Sequence, residues 1–76
     1  MATLRVMLIV PPNLVRDPVI YNVATRHNLV PNIRKARVTE KAGEATLDLT
    51  GSEADLKRGV EYLTGLGVKV KPLGSR

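Results

Sequence analysis

From Thr3 to Val10 the chain reads TLRVMLIV, with Leu4, Val6, Leu8 and Val10 at one parity and Arg5, Met7 and Ile9 at the other. A two-residue period with apolar side chains on both parities predicts a strand, spanning 3–10, that is covered fully on one face and partly on the other. A central strand has that character. Pro11 and Pro12 end it, because neither can donate to a ladder. Asp17 before Pro18 predicts a helix start, with an acid at the cap and proline in the first turn. That helix runs over 18–27, with Ile20, Val23 and Ala24, and Val19 beside them, on its apolar side. Pro31 blocks continuation and biases Val30 to extended backbone.

Asn32 to Thr39 returns to period two and predicts a strand over 33–39, with Ala36 and Val38 on one side and Lys35 and Arg37 on the other. Glu40-Lys41-Ala42-Gly43 reads as a turn in which Gly43 is free to take a positive φ. Residues 44–49 alternate cleanly, Ala45, Leu47 and Leu49 inward and Glu44, Thr46 and Asp48 outward, so the two strands form a hairpin. Ser52 caps a second helix over 53–65, with Asp55 where a capping-box acid stands. Leu56, Val60 and Leu63 face the sheet, and Gly59 beside them points to a close helix–sheet approach. Gly65 and Gly67 end the helix, and a last strand covers 68–72. Gly74-Ser75-Arg76 reads as a frayed tail. The order βαββαβ with right-handed crossovers specifies an α+β, ferredoxin-like sandwich. It has a four-stranded antiparallel sheet in the order 4-1-3-2, with two helices on one face. At 76 residues there is room for one such domain, 1–76, and no second.

This architecture leaves one sheet face uncovered. It should display Arg5, Met7 and Ile9 centrally, Lys35 and Arg37 on one edge, Lys69 and Lys71 on the other, and Glu44, Thr46 and Asp48 between. Twelve Lys and Arg against seven Asp and Glu give a net +5, a balance that invites anionic partners. There is no Phe and no Trp, and only two Tyr, so bases have no stacking platform and specific nucleic-acid binding is not expected. Any such binding should be weak and electrostatic. Val6 to Val10 falls far short of the roughly 20 apolar residues that span a bilayer. No membrane insertion is expected, and a cytoplasmic location is. Absence of cysteine and a single histidine exclude disulfides and thiolate metal or iron–sulfur sites, and argue against a histidine metal site. No cofactor is expected. Arg16 and Asn32 superficially fit an acyl-phosphate hydrolase, but the loop PPNLVRD lacks the glycine cradle for the phosphate. His27 has no acid or serine spaced to make it a base. The chain is therefore not expected to be an enzyme. Tyr21 and Tyr62 read as amphipathic rim residues of the core. Met7 and Ile9, with Lys35 and Arg37 beside them, are the expected partner or dimer contact.

One stretch is more specific. Leu29-Val30-Pro31-Asn32-Ile33-Arg34-Lys35-Ala36-Arg37-Val38 is preceded by Pro18-Val19-Ile20 and followed by Gly43, Gly51 and Gly67-Val68-Lys69-Val70. Together these resemble the NIL domain, over about Thr3 to Leu73. That family is the C-terminal regulatory domain of methionine-import ABC transporter ATPases. It also occurs alone or beside ferredoxin modules in proteins linked to sulfur amino-acid metabolism. The resemblance implies a homodimer that binds methionine, or a related sulfur amino acid, at its interface. It points to Asn32 and Ile33 of the motif, to Arg34 in the place of the motif leucine, and to Val38 as an apolar contact along the same strand. An amide offers donors and an acceptor to a zwitterion. Arg34 either displaces an apolar wall or pairs with a ligand carboxylate. The alternative is an interaction module without its own ligand, docking on a transporter ATPase or a sulfur-metabolism enzyme.

Overall fold

The two inner strands of the sheet are the nearly continuous apolar run near the N-terminus and the cleanly alternating run of residues 44–49. The computed structural model describes residues 1–14, 17–39 and 41–75. Arg16, Glu40 of the predicted turn and Arg76 of the predicted tail lie outside them. Strands β1 (Ala2–Val10), β2 (Val30–Val38), β3 (Gly43–Gly51) and β4 (Lys69–Ser75) combine with helices α1 (Val19–Arg26) and α2 (Glu53–Leu66) in the order βαββαβ. The sheet runs β2-β3-β1-β4 with every neighbouring pair antiparallel. This is the ferredoxin-like α+β fold, with the expected strand order.

The core lies between sheet and helices. Val6 and Leu8 of β1, Leu47 and Leu49 of β3, Val23 of α1 and Leu63 of α2 are fully covered. Burying side chains of this size contributes about 1.5–3 kcal/mol each. Leu29, just before β2, is wedged between two glycines. A Cβ on Gly59 would stand 2.7 Å from Leu29 Cδ1 and 3.3 Å from Val23 Cγ2, and one on Gly51 would stand 2.6 Å from Leu29 Cδ2. Gly59 thus admits Leu29 and α1, where the sequence pointed to the sheet.

Local caps explain the element ends and correct three expectations. Ser52 accepts from the Asp55 backbone N–H at 3.0 Å, but the Asp55 carboxylate turns to Arg58 at 2.6 Å instead of closing a capping box. Asp17 does not cap α1. Its carbonyl accepts from the Val19 N–H at 2.8 Å across Pro18, whose φ of −78° and ψ of 67° make an inverse γ-turn, so Pro18 holds the cap position without a side-chain bond. Gly43 opens β3 without a positive φ. Thr39 closes that turn instead, its hydroxyl accepting from the Lys41 and Ala42 N–H groups. At the end of α2, Gly67 has φ 101° and its N–H reaches Thr64 O, while Val68 N–H reaches Leu63 O. These two bonds form a Schellman cap, with buried Val68 packed behind it.

β2 begins at Val30, earlier than expected, and β4 continues to Ser75 through what looked like a frayed tail. An edge strand tolerates proline, so Pro31 does not delay β2. Tyr62 packs against the core, with His27 tilted on its ring at 5.2 Å. Tyr21 points outward, contrary to its expected rim role, and is 66% exposed.

Candidate functional site

Strand pairing fixes which side chains share the open face, because directly opposed residues point the same way. Thr3, Thr50 and Val30 form one row, with the two threonine hydroxyls 2.9 Å apart. Arg5, Asp48 and Asn32 form the next. Lys71, Met7, Thr46 and Lys35 follow, and then Lys69, Ile9, Glu44 and Arg37. Met7 and Ile9 are half-buried in the middle of this array.

Asp48 anchors it. Its carboxylate accepts from Arg5 Nε at 2.8 Å and Arg5 Nη2 at 3.3 Å, and from Arg34 Nη1 at 3.4 Å. These arginines leave the residue only 9% exposed although it faces away from the core. The Arg5 hydrogen bonds hold the Asp48 carboxyl below the usual carboxylate range, against partial desolvation and with Arg34 adding to the effect. Arg5 is in turn held more firmly protonated, first by the same bond. One acid therefore fixes two arginines at the β1–β3–β2 crossing, and a fork meeting a carboxylate at two oxygens is directional as well as strong.

Arg34 reaches this acid because β2 is irregular there. The pairing steps from Ile33 opposite Leu47 to Lys35 opposite Thr46, leaving Arg34 as the extra residue of a β-bulge. Beside the bulge lies a shallow depression bordered by Arg5, Asn32, Ile33, Arg34, Lys35, Thr46 and Leu73. Three of the predicted ligand residues, Asn32, Ile33 and Arg34, meet at this corner, and Val38 does not. Ile33 and Val38 are opposed by Leu47 and Gly43, on the helix-facing side, where they remain 53% and 69% exposed. Lys35 and Arg37 lie on the open face at the β2 edge, two strands from Met7 and Ile9. The eight predicted residues thus divide between two faces and two strands.

Among the described residues no cluster of His, Cys, Asp or Glu could hold a metal ion. No buried side-chain nitrogen or oxygen there lacks a partner. Among the described residues no helix is long and apolar enough to cross a membrane.

A model of the NIL domain matches residues 4–72. The chain belongs to the NIL domain family. A crystal structure of the C-terminal domain of an ABC transporter ATP-binding protein from Enterococcus faecalis is similar to this NIL domain, with a TM-score of 0.80 at 20% identity, over 93% of this chain and 83% of that one. The de novo designed protein Foldit4 is also similar, with a TM-score of 0.59 at 12% identity, over 99% and 98%. At these identities the likeness is one of fold. No curated protein matches the chain.

Two contributors to the corner of this NIL domain were missed in the sequence. Leu73 sits at a register shift between Arg5 and Val6 in the β1–β4 pairing, and it stands 53% exposed. Nothing in a short run ending in glycine and serine signals that irregularity. Asp48 reads in the sequence as an outward acid between the basic edges, without its role as the anchor of two arginines. The signal that identifies it as an anchor is its position directly opposite Arg5, which follows only once the β1–β3 register is known.

Proposed function

We propose that this NIL domain is a regulatory, non-catalytic binding module of the cytoplasm that takes methionine or a related sulfur amino acid where two copies meet along β2. The observation that carries this reading is the meeting of Asn32 and Arg34 at the bulge of a wholly peripheral strand. The Asn32 amide can both donate to a carboxylate and accept from an ammonium group. Arg34 gives Asp48 a single long bond of 3.4 Å and keeps a half-exposed side chain, so it has donors to spare for a ligand carboxylate. Leu73 offers an apolar wall to a thioether. A depression this open encloses nothing alone, and a second β2 edge would close it. Arg34, Lys35 and Arg37 meet their copies across such a two-fold axis, so pairing should tighten as salt rises.

The test is a thermal melt across a panel of amino acids, with sedimentation in parallel. A ligand that binds only the folded state at a hundredfold excess over Kd adds about 2.7 kcal/mol. L-Methionine should raise Tm saturably, and Asn32→Ala should abolish most of the rise. No shift with any amino acid, or an equal shift in Asn32→Ala, rejects the site. A monomer at every salt and concentration rejects the pairing. The second reading, a ligand-free module docking on a transporter ATPase or a sulfur-metabolism enzyme, draws on the likeness to the transporter ATP-binding protein's C-terminal domain. A flat melt panel would favour it.

A further inference from the structure

Charge in this domain is segregated by layer. On the two helices Arg26, Lys57 and Arg58 stand against Glu53, Asp55 and Glu61 and cancel. The open sheet face carries Arg5, Arg34, Lys35, Arg37, Lys69 and Lys71 against Glu44 and Asp48 alone. That excess of four accounts for most of the chain's net +5. Asp48 is already committed to Arg5 and Arg34. Lys35, Arg37, Lys69 and Lys71 join no ion pair among the described residues.

These four cations form two rows. Lys69 and Lys71 lie on β4, and Lys35 and Arg37 lie on β2, at opposite edges of the sheet. Three strand spacings of about 4.8 Å separate the rows, or roughly 14 Å. Between them run Met7 and Ile9 on β1 and Thr46 on β3, all half-buried. An apolar centre inside a charged rim is the anatomy of a protein interface.

We propose that the open sheet face is the docking surface for an acidic amphipathic helix of a partner protein. The helix lies along the strands, its apolar seam on Met7 and Ile9 and its Asp and Glu flanks against the two cation rows. A helix about 10–12 Å across fits between rows about 14 Å apart. About 18 residues, or 27 Å, match the length of a nine-residue strand such as β1. Glu44, which joins no ion pair among the described residues, sits opposite Arg37 and sets a register by disfavouring a partner acid at its own position. A second copy laid face to face would oppose both cation rows at once, a larger repulsion than the single β2 row met in a side-by-side pair. Nucleic acid leaves Met7 and Ile9 uncovered and finds no aromatic ring on this face. A bilayer needs protruding apolar side chains, and Met7 and Ile9 are half-buried. The β2 row, Lys35 and Arg37, is shared with the edge that carries the Asn32 corner. The β4 row, Lys69 and Lys71, lies at the far edge of the sheet, so the β4 charge reversal tests the proposal apart from the ligand reading.

The experiment measures binding of the whole chain to four probes by fluorescence anisotropy at physiological salt. They are a helical peptide of about 18 residues with a leucine seam and glutamate flanks, the same seam with lysine flanks, poly-glutamate, and a short DNA duplex. The glutamate-flanked helix should bind at least about tenfold tighter than each of the others. Lys69→Glu with Lys71→Glu, and separately Lys35→Glu with Arg37→Glu, should each weaken it by about tenfold. Asn32→Ala should leave it unchanged. Equal binding of poly-glutamate or DNA would reduce the face to a general polyanion binder and overturn the proposal. So would no binding of the glutamate-flanked helix, or insensitivity to either charge reversal. All four substituted positions are exposed, and the melting temperature of each variant checks that the fold is intact.

Discussion

β2 and β3 are the two arms of one hairpin, equal in length, yet their fates in the fold are opposite. Along β3 the inward parity is buried throughout, and even outward Asp48 is covered. Along β2 every residue except Pro31 is exposed. The difference is position. β3 has a strand on each side and helices over one face, whereas β2 has a neighbour on one side only. The contrast teaches that β3 holds the domain together while β2 spends little of its surface on stability. A strand with that freedom can carry binding chemistry.

The sharpest test of the contrast is a single cross-strand pair. Leu47 of β3 and Ile33 of β2 stand opposite each other on the same face, one fully covered and the other 53% exposed. Leu47→Ala should cost about 2–5 kcal/mol in urea unfolding. Ile33→Ala should cost no more than about 1 kcal/mol. Similar losses for both would mean that β2 is clamped by something on its outer edge, and a concentration-dependent loss for Ile33→Ala would identify that clamp as a second copy.

A smaller effect probes how β2 is tied in. Leu29, which leads into the strand, occupies the space left by Gly59 and Gly51. Gly59→Ala gains about 1 kcal/mol of helix propensity but forces Leu29 and Val23 aside at a cost of about 1–3 kcal/mol. A net loss of about 1 kcal/mol is expected. Combining it with Leu29→Ala should give less than the sum of the two single losses, because the second change removes the atom the first one strikes.

Next comes the acid that links the arms. Asp48 binds a proton less readily folded than unfolded, since Arg5 and then Arg34 favour its anion. Asp55 behaves alike, held down by Arg58 and the Ser52 hydroxyl. The unfolded chain therefore carries more protons at acid pH, and stability rises with pH through that range. The Asp48 contribution is complete above its unfolded value of about 3.9 and is lost as pH falls through the lower folded value. Asp48→Asn should flatten the acid limb of the stability profile while leaving the part due to Asp55. An unchanged limb would show that the two arginines do not engage the acid in solution. Smallest of all, Asn32→Ala should move stability by less than about 0.5 kcal/mol, which is what makes it a clean probe of binding.

The same contrast explains what could be read in the sequence. β3 was legible except at Asp48, because elsewhere along it burial and polarity alternate together. The C-terminal half of β2 was legible too, with Ala36 and Val38 on one side and Lys35 and Arg37 on the other. The bulge was not. It places Asn32 and Lys35 on one face although three positions separate them, and no local preference around Arg34 announces the extra residue. Pro31 hid the first part of the strand, since its meaning depends on lying at an edge, a fact of topology. For the same reason Arg34 could be read as a free cation facing a ligand, when part of its charge is spent on Asp48.

The strand order also governs when the sheet can be completed. β1 is the first element of the described chain and an inner strand, yet both its partners come late. Ala2 pairs with Gly51 and Leu4 with Ser75. Only the β2–β3 hairpin forms between neighbours in the sequence, and its β2 arm buries no apolar side chain to hold it. Long loops must close before the central strand gains either partner, and such non-local pairing slows folding. During that interval the Val6–Val10 run has two open edges. During synthesis β1 leaves the ribosome before β3 and β4, the two strands that close its edges, have been made.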